Sequence, residues 1–161
     1  MENRLRGYYH FKLFYMDDFI MIGDNKDLLV LAMKSFIEFM HEDMELEIKP
    51  NWEVYPIDYI DEHGVRRGRP IDMMGYVMYR DHTKIRDCIF LSARRAYIRA
   101  ENRYIGVKPR KRLPVHFAYR CVSYFGWFKN SNSKRFIRDY NIKVIVSLAK
   151  WSISKFYRDK N

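Results

Sequence analysis

At 161 residues, with 48% hydrophobic and 17% aromatic content, the chain is long enough to bury a core and too apolar for a disordered segment. No apolar run approaches the ~20 residues of a membrane span, and Met1-Glu2-Asn3-Arg4 leads into no secretory h-region. The net charge of +10 conceals a division: residues 1–64 hold six Lys/Arg and fourteen Asp/Glu, a net of −8, whereas residues 65–161 hold twenty-four and six, a net of +18.

In chain order, the first elements are two strand-like arms, Tyr8-Tyr9-His10-Phe11-Lys12-Leu13-Phe14 and Phe19-Ile20-Met21-Ile22-Gly23, that meet at Tyr15-Met16-Asp17-Asp18. Aromatic and β-branched residues on both sides of two carboxylates predict a β-hairpin with aspartates at its tip. Clustered carboxylate oxygens suit a hard divalent cation, although Asp is also ordinary turn chemistry. Asp24-Asn25-Lys26-Asp27 supplies turn and N-cap residues, and an amphipathic helix is predicted from Asp27 to about Asp43, with Leu28, Leu31, Ala32, Phe36, Phe39 and Met40 on its apolar face. His41-Glu42-Asp43-Met44-Glu45 lacks the second histidine of a zinc-protease helix, and the five histidines show no ligand spacing.

From Leu46 the pattern changes to period two, through Ile48, Trp52, Val54, Tyr55 and Ile57, with Pro50-Asn51 as a turn or irregular junction. Asp58 to Arg69 reads as a polar connection containing Gly64 and Gly68. A strand pair is then predicted over 71–79 and 83–86, with Asp81-His82 at its turn. The remainder reads as helices over 89–102, 115–129 and 142–157, separated by the basic linker 106–114 and by Asn130-Ser131-Asn132-Ser133. The fold class is therefore α+β at the front and all-α at the back, with the boundary near residue 87. Cys88 and Cys121 form no ligand pair and are predicted to be buried, reduced thiols of a cytoplasmic protein.

The acidic front and basic back suit a polyanion lying across the molecule; a solvated basic surface is the plainer alternative. Nucleic acid is favoured because the cations sit among aromatics and not in a low-complexity tail. Arg94, Arg95 and Arg99, with Lys108, Arg110, Lys111 and Arg112, are the candidate phosphate contacts. Tyr124, Trp127 and Phe128 share a helical face, which reads as core before base stacking.

Tyr15-Met16-Asp17-Asp18 between hydrophobic strands resembles the catalytic hairpin of reverse transcriptases, and similar parts continue in the same order. The helix at 27–43 falls where that family has one. Leu46-Glu47-Ile48-Lys49-Pro50-Asn51-Trp52 looks like its next motif, a strand carrying a lysine. Ile71-Asp72-Met73-Met74-Gly75-Tyr76 looks like its primer-grip hairpin, and Ser123-Tyr124-Phe125-Gly126-Trp127 is similar to the thumb of bacterial members of the retron, group II intron and diversity-generating retroelement kind.

The resemblance implies the C-terminal half of a polymerase palm over 1–86, followed by a basic helical thumb over 87–161. It implies RNA-directed DNA polymerase activity on an RNA template, a DNA primer and dNTPs, with two Mg2+ ions clamping the attacking and leaving oxygens. Asp17 and Asp18 would be metal ligands, with the tight turn letting both approach one site. Tyr15 and Met16 would lie under the primer end and the templated pair. Lys49 would face the triphosphate as cation or proton donor, or else be an exposed strand lysine. Met74, Gly75 and Tyr76 would form the primer grip, Gly75 allowing close approach of primer phosphates, or else a strand with a glycine bulge. The family's third carboxylate lies on a strand before the hairpin, and here the fourteen residues preceding Tyr15 contain no Asp and only Glu2. The expectation is of a C-terminal fragment that needs a missing N-terminal part and does not polymerise alone. The alternative is a non-catalytic nucleic-acid-binding remnant of a retroelement.

Overall fold

A computed structural model describes residues 7–106 and 111–160, in two compact units that divide at Arg69/Pro70. The architecture is mixed α+β, with five helices and small antiparallel sheets among the described residues. No described helix is long and apolar enough to cross a membrane.

The first unit opens on the predicted hairpin: β1 (Phe11–Tyr15) pairs antiparallel with β2 (Asp18–Ile22), from Phe11↔Ile22 to Tyr15↔Asp18. Helix α1 (Lys26–Glu42) follows, capped by the Asn25 side chain, which accepts from the N–H groups of Asp27 at 2.8 Å and Leu28 at 3.1 Å. Phe14 and Phe19, cross-strand partners, both face Phe36 of α1, with Phe19–Phe36 centroids 4.7 Å apart. The buried face of α1 is Ala32, Met33 and Phe36; Leu31, expected on it, is half exposed.

The strand expected from Leu46 to Ile57 does not form. After α1 the chain turns through Glu45 at φ 52, and the Leu46 N–H returns to the Met40 carbonyl at 2.8 Å. A strand needs a neighbour for its peptide groups, and among the described residues this segment pairs only at its far end, through an isolated parallel bridge Ile57↔Arg69. The polar connection that follows contains a small hairpin, β3 (Tyr59–Ile60) with β4 (Arg66–Arg67).

The second unit begins with a three-stranded sheet, β5 (Ile71–Met73), β6 (Tyr76–Met78) and β7 (Thr83–Ile85), in that order. The expected strand 71–79 is therefore cut in two by the Met74-Gly75 turn. Both turn residues have positive φ, 52 and 76, as a type I′ hairpin turn requires. The sheet belongs with the helices that follow, so the compact units part at Arg69/Pro70 and not near residue 87. The reason is packing: Ile85 lies in the same buried cluster as the helices, and Tyr76 packs against it.

Helices α2 (Asp87–Tyr104), α3 (Val115–Lys129), α4 (Lys134–Asp139) and α5 (Ile142–Arg158) complete the unit. Three of them fall where periodicity predicts; α4 lies between the predicted helices, and its Phe136 and Ile137 pack on the core. The core joins Ala93, Tyr97 and Ala100 of α2, Phe117, Cys121 and Phe128 of α3, and Ile142, Ile145 and Ala149 of α5. Two polar contacts lock it: the buried Tyr97 hydroxyl donates to the Cys121 carbonyl at 2.8 Å, and the Ser152 hydroxyl accepts from Leu113 N–H at 3.0 Å while donating to the Leu148 carbonyl at 2.8 Å. Burial pushes the Cys121 thiol up to about 11. Cys88, by contrast, is exposed: it is the second residue of α2, outside the helix's buried stripe of Ala93, Ala96, Tyr97 and Ala100.

Candidate functional site

The hairpin turn presents both aspartates. Tyr15 pairs with Asp18, leaving Met16 and Asp17 as a two-residue loop. Met16 has φ 54, the left-handed region that favours glycine, and its side chain stands 89% exposed. A strained, exposed methionine does nothing for packing. Its conformation carries the chain from Tyr15 back to Asp18 in the shortest possible loop, so that the two aspartates sit at the extremity.

The pleat then assigns Asp18 a face. Phe14 and Phe19 point at α1, and side chains alternate along a strand, so the paired Tyr15 and Asp18 point away from α1. That face also carries Phe11 and Leu13, and all four residues are exposed, as is Asp17. Asp17 and Asp18 are thus accessible carboxylates beside an uncovered aromatic surface. Among the described residues no group of three or more His, Cys, Asp or Glu side chains is placed to hold a metal ion. Two adjacent carboxylates are part of the oxygen set that a pair of hard cations takes, so the residues present do not by themselves fit a two-ion centre.

Lys49 lies exposed next to the Pro50-Asn51 turn, on irregular chain and not on a strand. At the Met74-Gly75 turn, the space that glycine leaves is filled from within. A Cβ built on Gly75 would lie 2.5 Å from Trp127 Cζ3 and 2.7 Å from Ile89 Cδ1. Tyr76 packs on the same indole at 5.0 Å between centroids and donates its hydroxyl to the Trp127 carbonyl at 3.2 Å. Trp127 and Phe128 are accordingly core contacts, and Tyr124 is half-buried beside them.

Of the basic candidates, Arg95, Arg99 and Lys111 are exposed. Arg94 lies over the Tyr140 ring at 5.6 Å and donates to its hydroxyl at 3.1 Å. Arg112 is ion-paired with Asp159, holding that carboxyl below the usual carboxylate range, and stands 5.9 Å over the Trp151 ring. Lys108 and Arg110 lie outside the described residues. A further set of cations, Lys129, Lys134 and Arg135, lines a notch at the turn between α3 and α4. The sequence signal for it is a polar Asn-Ser-Asn-Ser turn bracketed by cations, a pattern that reads first as a loop.

Compared with known proteins, the chain matches no family model, no curated protein and no solved structure.

Proposed function

We propose that this chain is the palm–thumb part of a bacterial-type reverse transcriptase, an RNA-directed DNA polymerase that works in the cytoplasm on an RNA template, a DNA primer and dNTPs. The observation that supports the reading best is the hairpin tip, where a strained two-residue turn presents Asp17 and exposed Asp18 at the end of two apolar strands, ahead of a helix. The order hairpin, helix, irregular lysine-bearing segment, Met-Gly-Tyr turn and basic helices agrees with it. In this proposal Asp17 and Asp18 are the chain's share of a Mg2+ site, and the remaining carboxylate comes from a fingers–palm polypeptide. Lys49 serves the triphosphate, and Arg95, Arg99 and Lys111 contact the template–primer backbone together with Lys108, Arg110, Arg94 and Arg112. Met74, Gly75 and Tyr76 form the primer grip through backbone atoms, since the glycine's side-chain face is occupied by Trp127.

A second reading, a non-catalytic nucleic-acid-binding module, is favoured by a different observation. Residues 70–161 hold twenty-one Lys/Arg against six Asp/Glu, a net of +15 that needs no metal site to bind a polyanion. Primer extension in Mg2+ separates the two. The chain alone should extend nothing, and addition of an upstream fingers–palm polypeptide should give extension that Asp17→Asn or Asp18→Asn abolishes. No Asp17-dependent extension in either arrangement removes the polymerase and leaves the binding module.

A further inference from the structure

The turn between α3 and α4 forms the floor of a notch of about 340 Å³, room for several waters at ~30 Å³ each and so for a hydrated phosphate. The floor is fixed from outside the turn. The Asn132 side-chain carbonyl accepts from the Thr83 N–H at 2.8 Å, and the Asn132 N–H donates to the Thr83 carbonyl at 2.9 Å, which ties the turn to the edge of β7. Within it the Ser131 and Ser133 hydroxyls lie 2.7 Å apart.

Around this neutral hydrogen-bonding floor stand Lys129, Lys134 and Arg135, and no carboxylate lines the notch. Lys129 lies 5.3 Å over the Phe125 ring, and neither it nor Lys134 has an acidic partner among the described residues. Arg135 shares the exposed Asp139 at 3.3 Å, a pair worth little in water. Three cations brought to one ordered concavity repel one another until an anion joins them, and the Asn130 amide adds a donor at the same place.

We propose that this notch is a phosphate-binding site, and that its ligand is the phosphodiester backbone of a nucleic-acid strand. It is separate from the basic residues of α2 and of the segment before α3, and it stands whether or not the chain belongs to a polymerase. The site takes one or two consecutive phosphates as charge-assisted hydrogen-bond acceptors and reads no bases.

The test has two arms on the full chain. A fluorescent single-stranded oligonucleotide is titrated at several salt concentrations against the wild type and the double variant Lys134→Gln/Arg135→Gln. Two lost phosphate contacts should make binding on the order of tenfold weaker near 0.1 M salt and flatten the slope of log K against log salt by about 1.4. Lys26→Gln/Lys34→Gln in α1 removes the same charge elsewhere and should change neither. In the second arm inorganic phosphate is titrated while the amide resonances of Asn130 and Ser131 are followed. Shifts that saturate and vanish in the double variant, with oligonucleotide binding unaltered, would overturn the nucleic-acid ligand in favour of free phosphate. Equal losses in the two double variants, or no effect in either arm, would overturn the site itself.

Discussion

A methyl group added to Gly75 would lie 2.5 and 2.6 Å from two carbons of the Trp127 ring and 2.7 Å from Ile89 Cδ1, at a φ of +76. Both insults act on the folded state: a side chain resists the left-handed conformation, and the partly buried Trp127 indole, packed on the core and on Tyr76, has little room to retreat. Gly75→Ala should therefore destabilise the protein by roughly 2–4 kcal/mol, read as a lower denaturation midpoint at unchanged slope. Gly126 gives the contrast. It lies in α3 with nothing within 4 Å of a Cβ and no positive φ, so Gly126→Ala should stabilise by up to about 1 kcal/mol. A loss at Gly75 no larger than the gain at Gly126 would contradict this account. The sequence reads 71–79 as a strand, with Gly75 as a bulge or as part of a hairpin like the primer grip, and the structure makes Met74-Gly75 a two-residue turn. That its open side is closed by Trp127 depends on a contact across fifty residues of chain, which local pattern does not encode.

At the scale of the element, the turn of the β3–β4 hairpin is fastened by the Asp61 side chain as well as by its backbone bonds. The Asp61 carboxylate accepts from the Val65 N–H at 2.9 Å, the Arg67 Nε–H at 3.0 Å and the His63 N–H at 3.0 Å. These bonds, the Val65 bond first, hold the Asp61 carboxyl below its ordinary 3.8. A depressed folded value fixes the sign: the carboxylate's stabilisation is complete above about 3.8 and is lost as pH falls through the lower folded value. The Val65 amide resonance should then titrate with a midpoint below 3.8, and Asp61→Asn should remove that titration; a midpoint at or above 3.8 would show that the bonds do not form. The same scale shows why some elements are legible and others are not. Long helices with a 3.6-residue apolar stripe, such as 142–157, are readable because the stripe is the cause of their burial. The alternating segment 46–57 misleads because alternation says only that a strand could be half-buried, and among the described residues the segment pairs at Ile57 alone. Helix α4 is too short for a period to show. The hairpin tip was legible in outline from Asp17 and Asp18, whereas the positive φ at Met16 and the outward face of Asp18 come from the turn's backbone and from Phe14 and Phe19 packing on α1.

The two compact units differ in how much core they own. Of the nineteen buried hydrophobics among the described residues, Ala32, Met33 and Phe36 belong to the first unit and sixteen to the second. The exposed large hydrophobics run the other way: Phe11, Leu13, Phe14, Tyr15 and Met16 follow one another at the hairpin, against four among the described residues of the second unit. Burial of apolar area is the main favourable term in folding, and a two-stranded hairpin is marginal without further strands. Local opening should therefore cost little in the first unit and close to the global free energy in the second. Amide hydrogen exchange on the intact chain measures the difference directly. The amides of β1, β2 and the exposed turns of α1 should exchange at least a hundredfold faster than those of α2, α3 and α5, a gap of about 2.7 kcal/mol or more. The polymerase and binding readings then diverge. If an upstream palm strand completes the hairpin's sheet, its addition should slow exchange in β1 and β2 while leaving α5 unchanged. If the chain is a binding module alone, an oligonucleotide should slow exchange around the cations of the second unit and leave the hairpin as mobile as before. Protection of β1 and β2 already equal to that of α5 would contradict the uneven core and, with it, the need for any completing strand.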